Sequence, residues 1–188
     1  MSAFAAWLAS TSGSIALHES LYAYPLVESV HVLTLCLFVG LAATLDLRLM
    51  GVTLTRVPVS EVARRFLPWM AGGFTIMVVT GALLFYAIPI RSWHNVFFRF
   101  KLILLVLAGL NAWGFHARIW RSVTQWDLDP VTPKAARAAG FASLVLWAAI
   151  IVSGRMIAYN WFDCDKQPQP HFVNIVAGCV VPPPGGGR

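Results

Sequence analysis

Four long stretches of this chain carry almost no charge, which leaves its backbone few ways to fold. Ser29 to Leu45 contains no Asp, Glu, Lys or Arg, and the same holds between Arg65 and Arg91 and between Lys101 and Arg118; Ala138 to Tyr159 contains Arg155 alone. At about 1.5 Å of rise per residue, roughly 20 predominantly apolar residues in a helix cross the hydrocarbon of a bilayer. Hydrocarbon cannot hydrogen-bond a main chain, so such a segment satisfies its N–H and C=O groups internally, as a helix does. The expected fold is all-α: an integral membrane four-helix bundle over residues 24–160, with spans at about 24–47, 66–90, 96–119 and 138–159.

Composition points the same way. With 188 residues, 58% hydrophobic and 12% charged, the chain has too little polar surface for an ordinary soluble domain. Its net charge of +6 gathers at the ends of the apolar runs instead of interleaving with aromatics on one face. The expected partner is therefore the lipid bilayer, with no nucleic acid.

Residues 1–23 precede the first span. Ala3 to Leu8 and Ile15 to Leu21 are apolar but too short to cross, and Ser10-Thr11-Ser12-Gly13-Ser14 separates them, so two short interfacial helices are expected. No Lys or Arg occurs before Arg48, so the first residues are expected to stay on the mature protein and not to form a cleaved signal. Residues 161–188 form a tail ending in Pro182-Pro183-Pro184-Gly185-Gly186-Gly187-Arg188, a segment with nothing to bury and expected to be disordered.

Short cytoplasmic loops hold an excess of Lys and Arg. The first connection carries Arg48, Arg56, Arg64 and Arg65 and the third carries Arg118, Arg121, Lys134 and Arg137, whereas the second and its flanks carry Arg91, Arg99 and Lys101. Both termini are expected outside the cytoplasm, with the tail extracytoplasmic. There Cys164 and Cys179 are disulfide candidates, while Cys36, inside a span, is expected to pack. Trp7, Trp93, Trp120, Trp126 and Trp161 fall near span ends, where an amphipathic ring gains from both phases.

Ionisable groups are expensive inside a membrane, and each calls for a partner, an escape to the interface or a function. His31 stands first among them. It lies about 10 Å below the outer end of its helix, seven residues past Tyr24. Glu28, three residues earlier, shares its face and is placed to accept the Nδ1 hydrogen, leaving Nε2 for a metal. The plainer alternative is a histidine hydrogen-bonded between helices. His94, in Ser92-Trp93-His94-Asn95, ranks next as a ligand, ahead of His18 and His171 on the same side. Arg99, Lys101 and Arg155 bring positive charge to this side with Glu28 as their only nearby span carboxylate. That surplus suits an acidic group from outside the chain, such as haem propionates, although each cation taken alone could simply snorkel. His116 falls near the opposite end, where a hydrogen bond to Asp46 accounts for it; a second cofactor or a proton relay is the other reading.

Gly72, Gly73, Gly81, Gly109, Gly114, Ala142, Ala148 and Ala149 offer small surfaces for close helix approach, and Asn111 is expected to hydrogen-bond a neighbouring helix. No phosphate-binding loop, serine elbow, Cys-x-x-Cys-His attachment site or HExxH zinc motif is present.

Glu28-Ser29-Val30-His31-Val32-Leu33, with Gly40 and Asp46-Leu47-Arg48-Leu49-Met50-Gly51, resembles an uncharacterised family of small bacterial inner-membrane proteins. Phe98-Arg99-Phe100-Lys101-Leu102, Asn111 to His116 and Gly154-Arg155-Met156-Ile157-Ala158-Tyr159 continue the resemblance through the third and fourth spans. It implies a multi-pass protein of the bacterial inner membrane with both termini periplasmic, and no particular activity. More loosely, a His-bearing first helix with Gly40 is similar to CopD-type copper-resistance proteins and four-helix b-type cytochromes. The second and fourth spans contain no histidine, so Met156 enters beside His94 as an axial ligand opposite His31.

The preferred expectation is a haem-b electron-transfer subunit, with His31 and either His94 or Met156 on the iron and Arg99, Lys101 and Arg155 on the propionates. A periplasmic redox protein or a quinone is the partner class this implies, and self-association into a homo-oligomer stays open. The alternatives are a copper-binding or copper-transport protein using the same side chains and a non-catalytic membrane anchor for a periplasmic dehydrogenase.

Overall fold

The computed structural model describes residues 2–129, 131–159, 162, 164 and 167–180. Among these, four helices are long and apolar enough to cross a membrane. The chain is all-α over the described residues. In order it forms α1 (Ser2–Ala9), α2 (Ser12–Glu19), α3 (Ala23–Leu49), α4 (Val59–Ala87), α5 (Pro89–Trp93), α6 (Val96–Gly114), α7 (Val123–Trp126), α8 (Lys134–Tyr159) and α9 (His171–Ala177). Trp161 and residues 182–188, for which an interfacial ring and a disordered end are expected, lie outside the described residues.

The span boundaries shift for identifiable reasons. α4 begins seven residues before Phe66 because Val59, Val62 and Ala63 are buried and because Glu61 accepts from both Arg64 and Arg65. Those i,i+3 and i,i+4 pairs let the helix run through its basic residues. It ends at Ala87 rather than near Ile90, since a residue before proline disfavours the helical conformation and Ile88 stands at φ −135°, ψ 57° ahead of Pro89. α6 keeps its expected start, where Asn95 accepts from the N–H groups of Phe97 and Phe98. Past Gly114 it widens into one π-helical turn, Phe115–Ile119, before a 3-10 turn leads into α7.

α3 packs chiefly on α4, α6 on α8, and α3 on α8. Phe38, Ala42 and Met77 fill the α3–α4 seam and Leu104, Ala108 and Ile150 the α6–α8 seam, with Trp147 touching both sets. At Gly140 on α8 a Cβ would lie 2.9 Å from the Asp46 carbonyl oxygen, so the absence of a side chain there sets the α3–α8 approach. Gly73 and Gly81 face α3, whereas Gly72, Gly109 and Gly114 face open space. Asn111 donates to the Ala139 carbonyl 3.0 Å away on α8, the interhelical bond expected of it. The outward surface is apolar, with Leu33, Phe74, Val79, Ile103, Val106 and Val145 all exposed, as a lipid-facing belt requires. Cys36 is part of that exposed surface and not of the packing.

The two ends are built differently. At the His31 end, α1 packs on α5 and α2 on α4, and Thr11 and Ser14 hydrogen-bond the hydroxyl and the carbonyl of Tyr86. Cys164 and Cys179 are joined there by a disulfide, with α-carbons 5.2 Å apart. The other end closes on Arg48, whose side chain is 0% exposed. Its Nε donates to the Val57 carbonyl at 2.8 Å and its Nη2 to those of Asp127 and Asp129. Asp127 in turn accepts from the Ser60 N–H at 2.8 Å and from its hydroxyl, capping α4, and Thr132 donates to the Leu49 carbonyl. Trp126, expected at the interface, is buried here with Leu49, Val59, Phe115 and Ala136. The reason is that the loop carrying it folds back under the bundle to meet the Arg48 guanidinium.

Replacing Arg48 by Met withdraws the donor that three loop carbonyls share. We expect a loss of about 2–3 kcal/mol in unfolding free energy and looser loops between α3 and α4 and between α7 and α8. Denaturation in detergent checks the first and hydrogen exchange the second, with Arg56→Met, at an exposed position, expected to be close to neutral.

Candidate functional site

Seven residues from the end of α4, Thr80 is buried and its hydroxyl returns to its own helix, 2.8 Å from the Ile76 carbonyl. A hydroxyl has one proton to give. That proton goes either to the Ile76 carbonyl or to His31 Nδ1, which stands 2.9 Å from Oγ1, according to the tautomer of the ring. The ring also meets a backbone group of Met77 on the same helix, so α4 holds His31 through more than one contact. Gly81 leaves room for the ring, since a Cβ at that position would lie 3.3 Å from His31 Cε1. The expected carboxylate partner is replaced, because Glu28 is exposed and its electrostatic neighbour is Tyr24.

Lys101, on α6, lies within electrostatic reach of His31. Its Nζ also lies 3.6 Å from where a Cβ of Gly154 would stand on α8. One layer of the bundle thus draws on all four long helices: His31 from α3, Thr80 and Gly81 from α4, Lys101 from α6, and Gly154 from α8. At about 1.5 Å per residue, these positions sit roughly 8–12 Å inside their helix ends. The ion pairs found among the described residues both belong to Glu61, so Lys101 brings a charge that no described carboxylate neutralises.

The other expected residues are placed elsewhere. Arg99 has its guanidinium filled by protein: Nε donates to the Trp93 carbonyl at 3.0 Å, Nη1 to that of Val176 and Nη2 to that of Ala177 at 3.2 Å, with the Trp93 ring 5.2 Å from its centre. It caps the C-terminus of α9, where cations complement the carbonyl end of a helix. Arg155 is exposed, bonds the Tyr159 hydroxyl at 3.1 Å and lies over that ring. Met156 is half-buried, two residues and about 200° around α8 from Gly154, so it leaves the helix on a different side from the one facing Lys101.

His94 is half-buried between α5 and α6 and donates from Nδ1 to the Ile90 carbonyl at 2.9 Å. His18 is exposed with its ring edge-on to Tyr24, and His171 opens α9 on the surface. His116 stacks on Trp120 with ring centroids 5.8 Å apart and lies edge-on to Phe115. The π-helical turn carries it outward, and Asp46 has Ser143 as its neighbour instead. No group of three His, Cys, Asp or Glu side chains suited to a metal ion forms among the described residues.

Thr80, Gly81 and Gly154 were not recognisable in advance as parts of this layer. Gly81 reads as a packing glycine, and a threonine in an apolar run ordinarily bonds its own helix. The available signal was the pair Thr80-Gly81 itself, an acceptor next to a missing side chain inside an otherwise apolar span.

A lipid-exposed four-helix bundle with one imidazole turned inward defines an integral membrane protein with a candidate intramembrane binding site. The chain belongs to a family of unknown function, DUF6644, whose model matches residues 4–160. No curated protein and no solved structure matches the chain.

Replacing Thr80 by Val keeps the shape and removes the hydroxyl that pairs with Nδ1. We expect the nitrogen NMR signals of the imidazole to shift in Thr80→Val, with a stability loss of roughly 1–3 kcal/mol for the ring nitrogen left unpaired.

Proposed function

We propose that this protein is a membrane electron-transfer subunit that binds haem b through His31. The observation carrying this reading is the inward imidazole of His31, its Nδ1 2.9 Å from the buried Thr80 hydroxyl and its ring against Gly81. Metal-binding histidines commonly have one ring nitrogen fixed by a hydrogen bond, which orients the other toward the metal. A bare copper ion needs several donors from the protein, and no group of three His, Cys, Asp or Glu forms among the described residues. Haem supplies its own equatorial nitrogens and needs as little as one axial histidine, so the donor set here suits haem better.

In this reading His31 holds the iron, Thr80 fixes the ring that holds it, and Lys101 offers an acidic substituent its one charge-assisted contact inside the bundle. Arg99 is occupied by the carbonyls of α9 and Arg155 by Tyr159 of its own helix, so Lys101 is the cation this reading assigns to a propionate. Haem would supply the one-electron couple, and the protein supplies burial, orientation and a fixed positive charge.

Two features support a bacterial inner-membrane location with the His31 end toward the periplasm. Arg56, Arg64, Arg65, Arg118, Arg121, Lys134 and Arg137 all fall at the Arg48 end, which the positive-inside rule assigns to the cytoplasm. The disulfide is at the opposite end, as an oxidising compartment favours.

Protein expressed with ample haem is expected to purify with a Soret band and to give a sharpened α band on dithionite reduction. His31→Ala should lose both, while Lys101→Met should keep haem and lower its midpoint potential, because a nearby cation favours the reduced iron. A fully supplied sample without porphyrin absorbance sinks the proposal, and bound copper in that sample would point to copper handling. For the location, a membrane-impermeant maleimide applied to intact spheroplasts after reduction should label Cys164 and Cys179, and labelling only after lysis would reverse the orientation.

A further inference from the structure

α8 starts at the Arg48 end of the molecule with Lys134, and Arg137 follows three residues later on the same face. Ala136, between them in sequence, is fully buried in the cluster around Trp126. Lys134 and Arg137 therefore point away from that cluster, and both are exposed. With Met50 at the end of α3, and with Ala138 and Phe141 one turn further along α8, they line an open surface depression of about 430 Å³. Among the described residues neither cation forms an ion pair.

The depression thus has a cationic mouth and an apolar wall. Phe141 is 58% exposed and begins an apolar stripe that continues along α8 through Val145 and Val152. Charge therefore gives way to hydrocarbon-facing surface within about two helical turns, the distance over which a bilayer changes from headgroup to acyl chain. A free phosphate would use the mouth and leave the wall bare. A zwitterionic lipid would bring its own cation to two that are already unpaired.

We propose that this depression is a binding site for an anionic phospholipid of the leaflet at the Arg48 end, its phosphate between Lys134 and Arg137 and an acyl chain along Ala138 and Phe141. The lipid neutralises two cations that the protein leaves unmatched and fills the space between Met50 and α8. This site is separate from the His31 layer and does not depend on what that layer binds.

The full-length protein, delipidated in detergent and titrated with phosphatidylglycerol in mixed micelles, should retain one molecule by native mass spectrometry, whereas phosphatidylcholine should not be retained. Lys134→Gln with Arg137→Gln should weaken retention roughly 30-fold, the effect of two surface cations on an anionic lipid. The swap Lys134→Arg with Arg137→Lys should keep retention and so separate a lost site from a lost fold. The charge-matched control Arg56→Gln with Arg121→Gln, exposed at the same end, should change it little. Equal retention of phosphatidylcholine, an equal loss in the control, unchanged retention in Lys134→Gln with Arg137→Gln, or tight binding of inorganic phosphate alone would each overturn the proposal.

Discussion

A hydroxyl, an imidazole or a guanidinium carried into hydrocarbon has to find its partner within the protein, and most polar side chains of the four long helices are arranged by that requirement, Asp46 Oδ2 and Arg48 Nη1 being buried atoms of those helices without one. Thr34, Thr44, Thr75 and Ser153 return to the carbonyl four residues back on their own helix. Asn111 reaches across to α8. His31 is the instructive case, because its Nδ1 is paired across the seam with the Thr80 hydroxyl, which also meets its own helix. A requirement that elsewhere merely removes polarity here fixes an imidazole between two helices.

The same requirement separates the two ends. At one, a fully buried guanidinium spreads its donors over carbonyls from two loops, and Asp127 caps α4, so the connections are drawn under the bundle and held there. At the other, the cover is assembled from separate short pieces: α1 and α2 through Tyr86, and α9 through Arg99 and the disulfide. Arg99 and Arg48 do comparable work, each ordering main-chain carbonyls that would otherwise lack donors. Neither is the freely available cation that its place in the sequence suggests.

Much of the fold was legible because transfer into lipid acts on composition over a window, which survives errors in detail. Four spans, the helical N-terminal pieces and the interhelical role of Asn111 could all be read directly. The helix ends could not, since they depended on Pro89, on Glu61 between two arginines and on a π-helical turn after Gly114. Within the site, His31 and Lys101 stood out because charge and imidazole are rare in a span. Glu28 was misjudged as the histidine's partner: three residues along one helix makes two side chains neighbours, but exposure of that face gives the carboxylate other surroundings.

What the sequence determined alone was the solvent: four runs of apolar residues long enough to span a bilayer, with basic residues gathered toward one end, admit a membrane bundle and little else. What only the tertiary structure decided was pairing across helices: Thr80 with His31, Lys101 with Gly154, Gly140 with Asp46, and Arg48 with loops about 80 residues away along the chain. Hydropathy is a sum over neighbours in the chain, so it can be read from one segment at a time. A hydrogen bond between helices depends on rotation and depth that each helix acquires only against the others.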